Sequence, residues 1–361
     1  MKAAVCYEFG KPLAIEEIEI DPPQKGEVKV RVAATGVCHS DIHDIKGELP
    51  GPLPFVPGHE CAGYVVETGE GVSSVLADDP VVVTFIPHCG KCFYCTSGFP
   101  HLCQTQWPLD TETRLRNHKG QPLIAKAKTG AFAEYVVVEE SQVVKVPVNM
   151  PLDRAALLAC AVITGFGAVV NRMQVKPMSS VVVIGCGGIG LNALQGAAFA
   201  GADPIIAIDI LDLKLKASTV FGATHAINAA QCDPASAVKQ LTGGLGADYV
   251  FITLGSAQAI RQGFSMTGSR GTAVIIGLPP VNESLTLSPL EFVRDERSLT
   301  GCFMGSVNLG IDIPRLASLY LNGRLKLDEL ITGRYPLVRI NEAIASLESG
   351  EALRNMIVFN F

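Results

Sequence analysis

The rhythm of apolar and polar residues changes about two-fifths of the way along the chain. Before residue 151 the apolar runs are short and close together. Lys2–Tyr7, Val28–Val32, Gly63–Val66, Val81–Phe85 and Phe132–Val138 have strand composition, rich in residues that fit a pleated surface. Turn clusters such as Asp21-Pro22-Pro23 and Pro50-Gly51-Pro52 separate them. Many short strands punctuated by Gly and Pro predict a barrel-like fold. From Pro151 onward the pattern differs. Leu152–Val170 reads as helix, and strand-like runs then alternate with helical ones. The strands are Val181–Ile184, Ile205–Ile208, His225–Ile227, Tyr249–Thr253 and Ala273–Ile276. The helices are Leu191–Ala200, Lys214–Phe221, Pro234–Leu241 and Ala257–Ser265. This alternation predicts a parallel, doubly wound α/β sheet. After about Gly305 it fades into helices at Pro314–Asn322 and Ile340–Ser349 and a terminal strand at Asn355–Phe361. The expected organisation is a first domain over 1–155, completed by 306–361, with a Rossmann unit over 156–305 inserted in it.

Composition narrows the partners. A chain of 361 residues suits two domains. With 48% hydrophobic and 18% charged residues it can bury a large core, which excludes a disordered chain. The net charge of −6 and the scattered basic residues argue against a nucleic-acid partner. The longest weakly polar stretch, Ala155–Val170, is broken by Thr164, Gly165 and Gly167. It falls short of the ~20 apolar residues a membrane span needs, so no membrane partner is expected. No apolar leader follows Met1, and a cytoplasmic location is expected. In that reducing compartment the eleven cysteines read as metal ligands or reactive thiols, not disulfides.

Three motifs carry chemistry. Cys89, Cys92, Cys95 and Cys103 put four thiols within 15 residues. Thiolates spaced three apart on a turn-rich loop can close a tetrahedron around zinc, which makes a structural site; the alternative is a set of free or redox thiols. A second group is scattered: Cys38 after a strand, His59 and Glu60 before another, and Cys160 in the apolar helix. Two thiolates and one imidazole would make a three-ligand zinc site with an open position, the form used in catalysis. Spacing alone does not unite them, and each singly could be a packed core or surface residue. The third motif is Gly185-Cys186-Gly187-Gly188-Ile189-Gly190, between a buried strand and a helix. Gly185 allows the tight turn, Gly187 the approach of a pyrophosphate, and Gly190 close helix–strand packing. The helix N-terminus offers free N–H groups to phosphate. Asp209 ends the next strand, 19 residues after Gly190. Its carboxylate suits ribose hydroxyls and repels a 2′-phosphate, which favours NAD over NADP.

With these motifs in this order the chain resembles the zinc-dependent medium-chain dehydrogenase/reductase family, and within it the bacterial and class III-like zinc alcohol dehydrogenases. The resemblance runs nearly end to end. It includes Gly58-His59-Glu60…Gly63…Gly69…Val72, the four-cysteine lobe, Phe132-Ala-Glu-Tyr135 and Leu353-Arg354 onward to Phe359. It implies a GroES-like β-barrel catalytic domain, a Rossmann domain, and reversible hydride transfer between NAD and a hydrophobic primary or secondary alcohol. It also implies one catalytic and one structural zinc per chain. Cys38, His59 and Cys160 match the catalytic ligands, Asp41 the carboxylate that orients the ligating His, and Glu60 an acid near the metal. Ser40 and His43 match the proton relay. Thr164 and Ile189 match nicotinamide contacts, Ile276 is a further cofactor contact, and Lys214, Arg354 and His39 match basic contacts to the cofactor. Phe85, Trp107, Met304 and Leu278 suggest an apolar substrate pocket. A homo-oligomer, dimer or tetramer, is expected; the length of the 104–130 loop leaves the number open. Asp78-Asp79-Pro80 departs from the family's usual turn, and Asp tolerates the left-handed backbone it needs. Thiol-adduct formaldehyde dehydrogenases carry an arginine where Trp107 stands, which weakens that alternative. A non-catalytic nucleotide-binding protein on this fold would have no reason to keep an open metal site and a relay.

Overall fold

Short valine-rich strands build the first part of the computed structural model, which describes residues 1–49 and 51–360. Along the chain come β1 (Lys2–Val5), β2 (Ala14–Ile20), β3 (Glu27–Val37), α1 (His39–Lys46), β4 (Phe55–Val56) and β5 (Cys61–Thr68). They continue with β6 (Pro80–Val83), α2 (Phe93–Thr96), β7 (Leu115–Asn117), β8 (Pro122–Ala125), β9 (Tyr135–Glu139), β10 (Val143–Lys145) and α3 (Leu152–Leu157). One sheet is ordered β1-β2-β7-β8-β4; a second contains β10-β6-β5-β3, with β9 also on β3. Single bridges at Ala3–Ala133 and Cys6–Phe55 tie strands across the unit. Val28, Val30 and Val32 alternate inward from β3 and pack with Val65, Val81, Val83, Val136 and Val138, the period-two pattern of a half-buried strand. Asp78 adopts φ 68° before β6, so the left-handed turn is made by an aspartate.

The helical reading of Leu152–Val170 holds with a difference. The run extends to Arg172 and includes π-type turns at Leu158–Val162 and Ala168–Arg172 around α4 (Ile163–Gly167). At 21 residues it is long and apolar enough to cross a membrane, but 83% of its apolar window is buried inside the protein. It is a core helix by that measure.

The second unit alternates regularly: β11 (Val181–Ile184), α5 (Gly188–Ala200), β12 (Ile205–Asp209), α6 (Asp212–Val220), β13 (His225–Asn228), α7 (Pro234–Leu241), β14 (Ala247–Ile252), α8 (Ala257–Met266), β15 (Thr267–Ile275), α9 (Pro289–Asp295) and β16 (Ser298–Gly301). All its strand pairs are parallel, in the order β13-β12-β11-β14-β15-β16. The order reverses between β11 and β14, the switch point where such sheets bind ligands.

The tail then adds α10 (Leu309–Leu321), β17 (Ile331–Tyr335), α11 (Ile340–Glu348) and β18 (Arg354–Val358). β18 pairs with β3, from Asn355 opposite Val37 to Val358 opposite Ala34, and so joins the first sheet system. α10 begins five residues before the expected Pro314, which lies inside it. β18 ends at Val358, earlier than expected; Phe361 lies outside the described residues. The two compact units are Met1–Cys160 with the tail from Asn308, and Ala161–Val307. The first division falls inside the helical run, five residues beyond the expected 155, because the run is continuous and no loop marks the crossing.

Candidate active site

Strand β3 ends at Val37, and Cys38 caps α1 in an extended conformation (φ −111°, ψ 153°). A carboxylate in a first helical turn suits the free N–H groups there. Asp41 is that carboxylate, 1% exposed. It accepts from the Cys38 N–H at 3.0 Å, the Gly58 N–H at 3.2 Å and His59 Nδ1 at 2.8 Å. One side chain therefore caps the helix and orients the His59 ring. Because an ionised carboxylate only accepts, Nδ1 carries a hydrogen, and Nε2 is the ring atom that can bind a metal once it gives up its own proton. Gly58, at φ 97°, has no room for a Cβ, which would lie 2.6 Å from the Phe132 nitrogen. The Phe85 ring meets His59 edge-on, with centroids 5.2 Å apart at 89°.

Cys160 comes from the π-type turn Leu158–Val162, a local widening often found at functional sites. The ligand atoms of Cys38, His59 and Cys160 all lie within 4.8 Å of one another, and all three residues are buried. The hydrogen bond with Cys160, helped by His59 and opposed by burial, holds the Cys38 thiol well below its ordinary value. Burial works against a charged His59; Asp41 and Cys38 outweigh it and hold the imidazole up at about 10. Two sulfurs and an imidazole nitrogen are the donors zinc prefers, so the residues fit a zinc ion with one position left open.

Ser40, on the first turn of α1, places Oγ 3.3 Å from Cys38 Sγ and 3.4 Å from His59 Nε2. His43 sits one turn further on, its Nδ1 paired with Glu48. Glu60 is fully buried beside β3. A Cβ on Gly36 would sit 2.7 Å from Glu60 Oε1, so any side chain there would displace this carboxylate. The Arg354 guanidinium pairs with this carboxylate, while Oε2 has no hydrogen-bond partner. Arg354, matched above to a cofactor contact, also pairs with Glu60. His39 occupies the first position of α1. Trp107 precedes the short turn Pro108–Asp110 and is partly buried.

The four-cysteine lobe lies on the loop around α2. Cys89 and Cys95 sulfurs are 4.0 Å apart, and those of Cys92 and Cys103 are 3.9 Å apart. Tetrahedral zinc with bonds of about 2.3 Å sets sulfurs roughly 3.8 Å apart. Backbone N–H groups of Lys91 and Cys92 point at Cys89 Sγ, at 3.5 and 3.3 Å. A hydrogen bond from Thr105, then that from Lys91, brings the Cys89 thiol down to about 6. None of the eleven cysteines, all of them among the described residues, forms a disulfide.

In the second unit the glycine loop follows β11 at the switch point. Gly185 adopts φ 90°, and a Cβ on Gly190 would lie 1.8 Å from the Gly185 oxygen. A Cβ on Gly187 would meet nothing within 4 Å, leaving the space that a pyrophosphate would need. Gly188 and Ile189 open α5. Asp209 accepts from the Cys186 N–H at 2.7 Å through one oxygen, and from Ile210 and Leu211 at 2.8 and 3.0 Å through the other. It fixes the loops after β11 and β12 together. Thr164 Oγ1 contacts Met304 Sδ at 3.5 Å, both residues being buried. Gly165 brings α4 against Ile189, where a Cβ would be 2.1 Å from the Ile189 oxygen. Ile276 follows β15 and is buried, Lys214 lies on α6, and Leu278 is exposed.

The sequence reading missed Glu48 and a buried cluster at Glu27, Arg114 and Glu139. Arg114 donates to both oxygens of Glu27, at 3.0 and 2.6 Å, and to Glu112 at 2.9 Å. No spacing signal links these residues; Glu27 and Arg114 alone are 87 positions apart.

Residues 24–148 match the alcohol dehydrogenase GroES-like domain, and residues 188–321 match the zinc-binding dehydrogenase domain. The NDMA-dependent alcohol dehydrogenase of Amycolatopsis methanolica is 40% identical over 365 residues, covering 99% of this chain and 98% of that protein. The crystal structure of an alcohol dehydrogenase zinc-binding domain protein from Burkholderia ambifaria superposes with a TM-score of 0.95 at 36% identity, over 100% of this chain and 99% of that one. Benzyl alcohol dehydrogenase from Acinetobacter calcoaceticus superposes at 0.93 with 31% identity, over 99% of each chain.

Proposed function

The chain belongs to the zinc-dependent medium-chain dehydrogenase/reductase family, with a GroES-like domain and a Rossmann domain, and on that basis we propose that it is an NAD-dependent alcohol dehydrogenase. The observation that carries the reading is the convergence of Cys38, His59 and Cys160 to within 4.8 Å, with Ser40 beside them. Cys38, His59 and Cys160 hold the catalytic zinc, and Cys89, Cys92, Cys95 and Cys103 the structural one. When bound, zinc supplies a Lewis acid for the substrate oxygen and the nicotinamide supplies the hydride acceptor.

The chain's own residues do the rest. Asp41 keeps His59 in the ligating tautomer. Ser40 Oγ receives the proton that the alcohol hydroxyl gives up, and His43 passes it to solvent. Gly185, Gly187 and Gly190 let the backbone approach the pyrophosphate at the start of α5. Asp209, at the end of β12, supports NAD over NADP, since its charge opposes a 2′-phosphate. Phe85 beside His59 supports an apolar alcohol. Likeness to a benzyl alcohol dehydrogenase supports including benzylic alcohols in that class. Following NADH absorbance across aliphatic, allylic and benzylic alcohols tests the proposal. Wild-type turnover in Cys38→Ser would refute the metal assignment. NADH binding retained by that inactive variant separates loss of chemistry from loss of fold.

A further inference from the structure

Most titratable side chains on α1 have partners that explain them structurally. Asp41 holds the ligand loop. Asp44 pairs with Lys126 at 3.0 Å, and Lys46 with Glu348 of α11 at 2.5 Å, which fixes the helix in its surroundings. His43 is different: its partner lies beyond the end of its own helix. Gly47 ends α1 in the left-handed region at φ 77°. The Gly47 N–H donates to the Asp44 carbonyl at 3.1 Å, and the Glu48 N–H to the His43 carbonyl at 2.9 Å. This cap folds the chain back over the last turn and delivers the Glu48 carboxylate to His43 Nδ1. Residues five apart on an unbroken helix do not face one another; the glycine cap makes the pair. The two side chains are 38% and 44% exposed, so the pair sits on the solvent side of the helix.

A carboxylate at Nδ1 has a chemical consequence. It accepts and cannot donate, so Nδ1 keeps the hydrogen and Nε2 is the ring atom able to take a proton. Ser40 lies three residues earlier on the same face of α1 as His43, against Cys38 and His59. Ser40, His43 and Glu48 thus follow one another along α1 and its cap, from the metal ligands outward.

We propose that Glu48 is a positioning residue for proton release, holding His43 in the Nδ1–H tautomer and balancing the charge of the imidazolium formed. The inference rests on the reading of His43 as the relay base. In each turnover the alcohol O–H bond breaks, and its proton passes by way of Ser40 to form an N–H bond at His43 Nε2. The resulting cation faces Glu48. That Nε2–H bond then breaks to water or a buffer base, restoring neutral imidazole. No electrons move along this branch.

The test follows proton release with a pH-indicator dye after the NAD-loaded holoenzyme is mixed with benzyl alcohol. It compares wild type, His43→Asn, Glu48→Ala, Glu48→Gln and the double variant His43→Asn/Glu48→Ala. We expect His43→Asn to slow release about a hundredfold, within the range of general acid–base effects. Both Glu48 variants should slow it about tenfold, because neither alanine nor an amide selects the tautomer as a carboxylate does. The double variant should be no slower than His43→Asn, since residues acting as one unit are not additive. NADH binding and thermal stability should match wild type throughout. Wild-type release in both Glu48 variants beside a slow His43→Asn would overturn the inference, as would a further tenfold loss in the double variant. Wild-type release in His43→Asn would instead remove His43 from the relay, and Glu48's role with it.

Discussion

Asp41→Asn perturbs the metal centre without changing its shape. In the native site one Asp41 oxygen serves both His59 Nδ1 and the Gly58 N–H, and the other serves the Cys38 N–H. An amide keeps a single oxygen. If that oxygen faces His59 and Gly58, the amide nitrogen meets only the Cys38 N–H. The opposite orientation sets the amide nitrogen against both other groups and forces the wrong imidazole tautomer. The first orientation loses less and is the expected one. It forfeits the helix cap, at about 1 kcal/mol, and the negative charge behind His59. Losing an outer-shell partner of this kind weakens metal binding by about 10–100-fold, or roughly 1.4–2.8 kcal/mol at 1.4 kcal/mol per tenfold. A chelator titration with a chromophoric dye reads this directly. We expect one zinc per chain to leave at about 10–100-fold lower chelator, with activity lost in step. The four-cysteine zinc should be released as in wild type, which makes it an internal standard. Equal release of both ions in variant and wild type would refute the role given to Asp41.

Other outcomes follow from the same geometry. Burial, then the Glu27 carboxylate, pushes the Glu139 carboxyl up to about 7, above its unfolded value of about 4.3. Its contribution to stability is therefore complete below about pH 4 and is lost as pH rises through 7. Glu139→Gln should match wild-type Tm near pH 4 and exceed it at pH 8; a gap that does not widen with pH would count against this. Asp209→Gly should raise the NADP-to-NAD ratio of kcat/KM by at least tenfold, and an unaltered ratio would remove Asp209 from cofactor choice. Gly190→Ala has no space for its methyl group beside the Gly185 oxygen. It should abolish NADH binding measured by fluorescence quenching, and a wild-type Kd would show that the loop yields.

How much was legible depended on whether local pattern or long-range geometry decided the outcome. β11 was read to the residue because four consecutive apolar positions lead into glycines that only a tight turn explains. α7 was likewise fixed by Pro234 at its start and its apolar period. β2 was missed: of its seven residues only Ile18 is buried, so no apolar stripe marks it. The early start of α10 was hidden by Pro314, since proline normally opens a helix or breaks it. The metal site divides in the same way. The lobe cysteines are close in sequence, so their spacing is informative. Cys160 lies in an apolar helix whose π-type turn leaves no trace in hydrophobic period, and only the family resemblance joined it to Cys38 and His59. Glu48 reaches His43 because Gly47 reverses the chain. Glu27 and Arg114 meet because β3 and the 104–130 loop fold together, and no local rule contains either contact.

Anomalous diffraction on crystals of the purified holoenzyme, recorded on both sides of the zinc edge, addresses the catalytic centre directly. We expect two zinc peaks per chain, one within the four-cysteine lobe and one bounded by Cys38 Sγ, His59 Nε2 and Cys160 Sγ. A peak in the lobe alone, with those three side chains binding no metal, would contradict the assignment of this chain as a zinc-dependent alcohol dehydrogenase.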